Sequence, residues 1–167
     1  MAIEELTHRD LIEAAHIYFV TVNMQNPPGN ISLDEAMRQL ETNFLLKKYS
    51  VFVSRSSIGR MDGITIFEVK KDSDRQGIEL FFIGAYPQSS GIGRKLLNSL
   101  GEYAKSNNIT SINTAVSSID QRAISFYSSC GFQTVGAKQT YGFTQFEMQF
   151  KIDSIHPLES NLEKSSE

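Results

Sequence analysis

Residues Gln88-Ser89-Ser90-Gly91-Ile92-Gly93-Arg94-Lys95-Leu96-Leu97 have the make-up of an anion pocket. An apolar run, Ile78 to Ala85, leads into them, and Pro87 closes that run because proline brings no N–H to a strand ladder. After the two glycines, Ile92, Leu96, Leu97, Leu100, Tyr103 and Ala104 recur at helical spacing. The pattern predicts a strand, a tight turn and a helix start. The first turn of a helix carries N–H groups without partners and about half a positive charge, so it attracts anions. Gly91 and Gly93 lack a Cβ, which lets a ligand come close to the backbone. The chemistry this suits is the holding of a phosphate or pyrophosphate. A P-loop would need Gly-Lys-Ser/Thr after four spacer residues, and a dinucleotide fingerprint would need a third glycine where this chain has Leu96.

Several elements must position that pocket. Ile3 to Leu6 reads as a first strand, and Thr7 to Asp10 opens a helix striped by Leu11, Ile12, Ala15, Phe19 and Val22. Asn26-Pro27-Pro28-Gly29-Asn30 stops it. Ser32 and Glu35 have the spacing of a capping box, starting a second helix striped by Leu33, Ala36, Met37, Leu40 and Phe44 that ends near Lys47-Lys48. Strands follow at Tyr49 to Ser54 and Ile64 to Val69, with turns predicted over Ser56 to Gly63 and Lys70 to Gly77. Ile78 to Ala85 is nearly all apolar, as in a central strand covered on both faces. The glycine-initiated helix runs to about Ser106, and Ser111 to Val116 is the next strand, which makes a β-α-β unit. Ser118 to Gln121 has capping-box spacing, and the helix it starts runs through Ser129 to a glycine cap at Cys130-Gly131. Phe132 to Ala137 and Gln145 to Lys151 form a last pair of strands joined through Tyr141-Gly142-Phe143. From about Ser154 the chain is polar and reads as a flexible tail.

At 167 residues, one domain with a real core is expected. Hydrophobic residues make up 40% but are dispersed, and no apolar run nears the ~20 residues of a membrane span. The start, Met1 to Leu6, lacks the basic and apolar regions of a signal peptide. Cys130 is the only cysteine, so no intrachain disulfide forms, and a cytoplasmic setting is expected. The formal charge of −3 comes from interleaved signs without a basic stripe, which argues against a nucleic-acid partner. His8, His16 and His156 are scattered without metal-ligand spacing, so no metal is expected.

A second stretch, Ala123-Ile124-Ser125-Phe126-Tyr127-Ser128-Ser129-Cys130-Gly131-Phe132, resembles the GNAT acyltransferase pattern Ala-x-x-hydrophobic-Tyr-x-x-x-Gly-Phe. Gln88-x-x-Gly91-x-Gly93 is similar to the same superfamily's acetyl-CoA pyrophosphate loop. The element order also matches across about residues 1 to 151. The resemblance implies an α/β (α+β) GNAT fold over residues 1–153: a mixed, mostly antiparallel central sheet flanked by helices and splayed at the acetyl-CoA site. It implies an N-acetyltransferase that moves acetyl from acetyl-CoA to a primary amine by direct attack through a tetrahedral intermediate. The alternative is a non-catalytic acyl-CoA-binding or sensor module on the same fold. The partners implied are acetyl-CoA and a small amine or peptide acceptor, with the chain a monomer or homodimer.

The resemblance places the cofactor's phosphates on Gln88, Ser89, Ser90, Gly91, Ile92, Gly93 and Arg94. It places the thioester oxyanion near backbone N–H groups of Ile83, Gly84 and Ala85, and Tyr127 at the sulfur as general acid. Family members often have Asn against the pantetheine arm where this chain has Asp120, which accepts but does not donate a hydrogen bond when ionised. An acceptor amine with a pKa near ~10.4 must lose a proton before it attacks, so a base is expected. Glu79 is the candidate, as the only ionisable residue in an apolar strand, with Glu68 or a water chain in reserve. Acceptor choice is expected to lie in the first two helices, the Met24 to Asn30 loop and the Tyr141 to Thr144 connection.

Overall fold

The computed structural model describes residues 2–46, 49–72, 75–88 and 90–152. Among them, one sheet is built from β1 (Ala2–Glu5), β2 (Ser50–Arg55), β3 (Met61–Asp72), β4 (Arg75–Ala85), β5 (Ser111–Ser117), β6 (Gln133–Thr140) and β7 (Phe143–Lys151). The helices are α1 (Leu11–Asn23), α2 (Leu33–Leu46), α3 (Ile92–Ser106) and α4 (Gln121–Ser129). A short 3-10 turn, His8–Asp10, leads into α1. The strand order is β1-β2-β3-β4-β5-β7-β6. Among the described pairs, β4 and β5 alone run parallel, with α3 as the crossover between them.

Two cores lie on the two faces of the sheet. Leu11, Ala14, Ala15 and Ile17 of α1 and Leu40 of α2 bury themselves against Val51, Val53, Ile64, Ile66 and Phe82. On the other face Leu97, Leu100 and Ala104 of α3 and Tyr127 of α4 pack with Phe67, Ile78, Leu80, Ile112, Val116 and Met148. Side chains of a regular strand alternate between faces, so Phe82 should share a face with Ile78 and Leu80. It does not, because the register passes from Phe67↔Leu80 to Ile66↔Phe82 and leaves Phe81 unpaired. That β-bulge inverts the alternation and bends the strand. The expectation that Ile78 to Ala85 is covered on both faces fails at Phe81, which is 48% exposed.

Several boundaries differ from the sequence reading, and β3 already starts at Met61, inside the turn predicted over Ser56 to Gly63. Within the turn predicted over Lys70 to Gly77, Lys70 to Asp72 and Arg75 to Gly77 are paired strand, with Lys70↔Gly77, Lys71↔Gln76 and Asp72↔Arg75 in register. Its charged composition marks exposure, which a strand end tolerates. The last hairpin is also longer than predicted: Phe143 is paired with Thr140, and Tyr141 and Gly142, at φ 49° and 83°, are the whole turn. Two consecutive left-handed residues match the twist of the flanking strands. Finally, α4 is capped by Asp120, whose Oδ1 accepts from the Ala123 N–H at 3.0 Å. The predicted Ser118 box is not formed; Gln121 instead donates to the Ser118 carbonyl. A carboxylate next to the first helical residue is an equally good cap. At α2 the predicted cap does form, with Ser32 Oγ accepting from the Glu35 N–H at 3.1 Å. Gly131, at φ 91°, follows the end of α4 as expected. The end of α2 at Lys47-Lys48 and the tail from Ser154 lie outside the described residues.

Candidate active site

Pairing of β4 to β5 runs only from Gly77↔Ser111 to Leu80↔Thr114. The bulge at Phe81 comes next, and beyond it the two strands part. β5 keeps its other neighbour, pairing with β7 through Ser117↔Gln145. The parted strands and the ends of α1, α3 and α4 enclose a cleft of about 890 Å³. Ile83, Gly84 and Ala85 form one wall. Backbone groups of a strand point alternately to its two sides. Past Leu80, those of β4 that face away from β3 therefore have no β5 partner.

The glycine turn closes one side of the cleft. Gly91 caps α3 at φ 78°, with no atom within 4 Å of where a Cβ would stand. The first intrahelical bond runs from the Lys95 N–H to the Gly91 carbonyl at 3.1 Å, so the N–H groups of Ile92, Gly93 and Arg94 have no intrahelical acceptor. Gly93 has a second reason to be glycine: a Cβ there would stand 3.3 Å from the ring of Phe126. Ser90 Oγ donates to the Pro87 carbonyl at 2.8 Å and tightens the turn. Arg94 donates to the carbonyl and hydroxyl of Ser129 at 3.4 and 3.0 Å.

Tyr127, from α4, lines the same cleft while being only 7% exposed. Phe126 and Phe132 pack against it edge-on, each with ring centroids 5.2 Å away. Burial pushes its phenol well above the usual tyrosine range, with a hydrogen bond to Thr114 partly offsetting the shift. The group is therefore a protonated donor across the physiological range. Cys130 lies buried outside the cleft lining, and burial raises its thiol pKa against the opposing charge of Arg94. An acyl-carrying thiolate is disfavoured there.

Among the expected site residues, Ile83, Gly84, Ala85, Gln88, Ser90, Gly91, Gly93, Arg94, Asp120 and Tyr127 all line this one cleft. Ile92 contributes backbone only, since its side chain is 7% exposed and covers Gly63 of β3. Ser89 lies outside the described residues. Glu79 is not part of the cleft wall. It is half-buried two residues before Phe81, in register with Glu68 on one side and Asn113 on the other. Asn113 in turn stands opposite Gln149 and accepts from its amide at 2.8 Å. Glu79 thus belongs to a polar row that crosses the sheet just before the strands part.

Two features were missed in the sequence. Arg122, on the first turn of α4, reaches over the cleft to the Gln88 side-chain oxygen and to the Met24 carbonyl, the latter at 3.5 Å. Its position beside Asp120 and Ala123 was the available signal. The other is a strap. The Asn26 N–H donates to Asp120 Oδ2 at 3.1 Å, and its side-chain amide donates to the Ile119 carbonyl at 3.1 Å. The loop after α1 is thereby tied to α4 across the cleft. Asp120 both caps α4 and anchors this strap.

Parallel strands parted beside a glycine turn and an open helix N-terminus give a cleft suited to an anionic ligand. Residues 3–152 match the sequence model of the acetyltransferase (GNAT) domain, and the chain belongs to that family, whose members are acetyl-CoA-dependent N-acyltransferases. No curated protein sequence matches it. Among solved structures it is similar to the ribosomal-protein-S18-alanine N-acetyltransferase of Escherichia coli, at 23% identity and a TM-score of 0.70, over 90% of this chain and 93% of that one. The yncA protein of Salmonella typhimurium, solved with its cofactor acetyl-CoA, gives 23% and 0.68 over 94% and 96%. The spermidine N-acetyltransferase of Vibrio cholerae, solved with CoA and spermine, gives 17% and 0.72 over 90% and 94%. At these identities the likeness is one of fold.

Proposed function

We propose that this protein acetylates a primary amine by direct transfer from acetyl-CoA, with the cofactor lying in the cleft between β4 and β5. The observation that carries this reading is the single continuous cleft that joins the Gly91 turn, the parted end of β4 and the Tyr127 phenol. The first N–H groups of α3, with Arg94 and Arg122 at the margins, hold the pyrophosphate. The acyl arm runs between the strands, and an N–H among Ile83, Gly84 and Ala85 receives the oxyanion. One such donor typically contributes ~3 kcal/mol to lowering the barrier.

In the reaction the amine nitrogen attacks the thioester carbonyl. A C–N bond forms, the C–S bond breaks, and CoA leaves as a thiolate. Glu79 takes the proton that the amine loses, directly or through water. Tyr127 serves the thiolate. With a thiol reference pKa of ~8.5, full transfer of a proton from a phenol raised above ~10 is uphill, so Tyr127 acts chiefly as a hydrogen-bond donor to the sulfur.

Acetyl-CoA at ~100 times its dissociation constant should stabilise the protein by ~2.7 kcal/mol. A thermal melt that moves with neither acetyl-CoA nor CoA at millimolar concentration contradicts the assignment of this cleft. Release of free CoA thiol in the presence of an amine panel tests transfer itself.

A further inference from the structure

A second cleft, of about 690 Å³, opens on the α1/α2 side of β4. Its inner wall is aromatic: Tyr18 from α1, Tyr49 before β2, and Phe81 and Phe82 from β4. It adjoins the first cleft, since Gln25, Phe81 and Phe82 line both. Phe81 is the hinge between them. The bulge turns its ring outward, half exposed, with its edge against Tyr49 at 4.8 Å. Together with Tyr18, Tyr49 and Phe82 the ring makes an aromatic wall where the two cavities meet.

The polar groups of this cleft gather mostly on the α2 wall, and three of them are linked in a chain. The Tyr18 hydroxyl donates to Gln39 Oε1 at 2.9 Å, and Gln39 Nε2 donates to Glu35 Oε1 at 3.2 Å. Burial, and after it the charge of Glu35, raises the Tyr18 phenol pKa, so this chain stays neutral at the tyrosine end. Glu35 and Arg38 stand three residues apart on the α2 wall with opposite charges. A linear polycation would need several carboxylates; among the described residues this wall has one, Glu35, with the Arg38 guanidinium beside it. A volume of this order takes a drug-sized body, with ample room for an aromatic ring and its substituents.

We propose that the second cleft is the acceptor pocket and that it selects a primary amine carried on an aromatic body. The amine points past Phe81 toward the thioester, and the body lies against Tyr18, Tyr49 and Phe82. This rests on the acetyl-transfer reading above. Two sources share the chemistry, a free arylalkyl amine and the N-terminal residue of a peptide.

The test has two arms on the full chain. First, phenethylamine, a tripeptide beginning with Phe, glycinamide and spermidine are compared by CoA thiol release. The aromatic acceptors should exceed glycinamide and spermidine in kcat/KM by about tenfold or more, the size of effect an apolar pocket gives. The better of the two aromatic acceptors identifies the source. Thr42, exposed on the α2 wall, allows the pocket to be filled without touching the core. Thr42→Trp should raise KM for the aromatic acceptor about tenfold and leave kcat with glycinamide and the Kd for acetyl-CoA unchanged. Second, phenethylamine is titrated calorimetrically into the CoA-saturated protein. Binding that Thr42→Trp abolishes supports the pocket whether or not turnover occurs, so failure of catalysis and failure of the pocket are told apart. Absence of binding, binding indifferent to Thr42→Trp, or a preference for spermidine that Glu35→Gln removes would each overturn the proposal.

Discussion

Two arginine sites, one at the β1–β2 edge of the sheet and one at the central β4/β5 cleft, use the same side chain for different ends. At the β1–β2 corner, Arg55 meets Asp10 at 2.6 Å, Glu13 at 3.3 Å and Glu4 at 3.6 Å, and donates to the Gly59 carbonyl at 3.2 Å. Its side chain is 17% exposed, and Glu13 also accepts from the Met61 N–H at 2.8 Å. The charge is fully used in tying the 3-10 turn, α1 and the first hairpin together. At the cleft, among the described residues, Arg122 is hydrogen-bonded to neutral acceptors on Gln88 and Met24, and Arg94 to those on Ser129. A guanidinium held by carboxylates is a brace. One held by amide and hydroxyl oxygens keeps its charge for an anionic ligand.

The sharpest separation of the two regions comes from Tyr127. Tyr127→Phe keeps the ring that packs with Phe126 and Phe132, so stability should hold. Removing one preorganised donor to developing charge typically costs ~10²–10³-fold, and kcat and kcat/KM should fall together by about that factor with the Kd for acetyl-CoA little changed. Steady-state kinetics with one acceptor, alongside a calorimetric titration, measures this; turnover within twofold of wild type removes Tyr127 from the chemistry. Glu79→Gln should remove the limb of the pH–rate profile that belongs to the enzyme's base, leaving the dependence set by the acceptor amine. A superimposable profile in the variant would shift the role to Glu68 or a water chain.

The arginines then test the comparison itself. Arg122→Gln should weaken acetyl-CoA about tenfold or more, as expected for a lost charged hydrogen bond, without moving the melt of the free protein. Arg55→Met should do the reverse, lowering stability by roughly 1–3 kcal/mol with acetyl-CoA affinity intact. If both variants alter both quantities, the division between brace and ligand group is wrong. The smallest effect is one of pH. Hydrogen bonding from Thr7, and then the charge of Arg55, holds the Asp10 carboxyl below its usual pKa. Its contribution is therefore present above the unfolded pKa of ~3.9 and lost as pH falls through the lower folded value. The Arg55→Met penalty should shrink over that acid window, which denaturant unfolding at neutral pH and near pH 3 will show.

Much of this was legible in the sequence because it depends on local patterns. The glycine turn, the α3 stripe and the Gly131 cap each sit within one element, and their positions follow from periodicity and from left-handed backbone at Gly91 and Gly131. The bulge at Phe81 was not legible. No glycine or proline marks it, and it arises from the pairing of Leu80 and Phe82 with Phe67 and Ile66. The second cleft depends on that bulge and was hidden with it, while the parting of β4 and β5 was expected from the family resemblance and not from any local pattern. Arg122 and the Asn26 strap escaped because their partners lie far along the chain and meet only in the fold.

The central claim is that an anion sits on the open N-terminus of α3. Calorimetric titration of acetyl-CoA into wild type, Gly91→Asn and Gly91→Asp tests it most directly. Gly91 has space for a side chain, and Asn and Asp share both shape and tolerance of left-handed backbone. The strain is therefore common to both variants and the charge differs. Binding that survives in Gly91→Asn with reduced affinity and disappears in Gly91→Asp is the predicted result. Equal affinity in the two variants, or no binding by wild type, would contradict it.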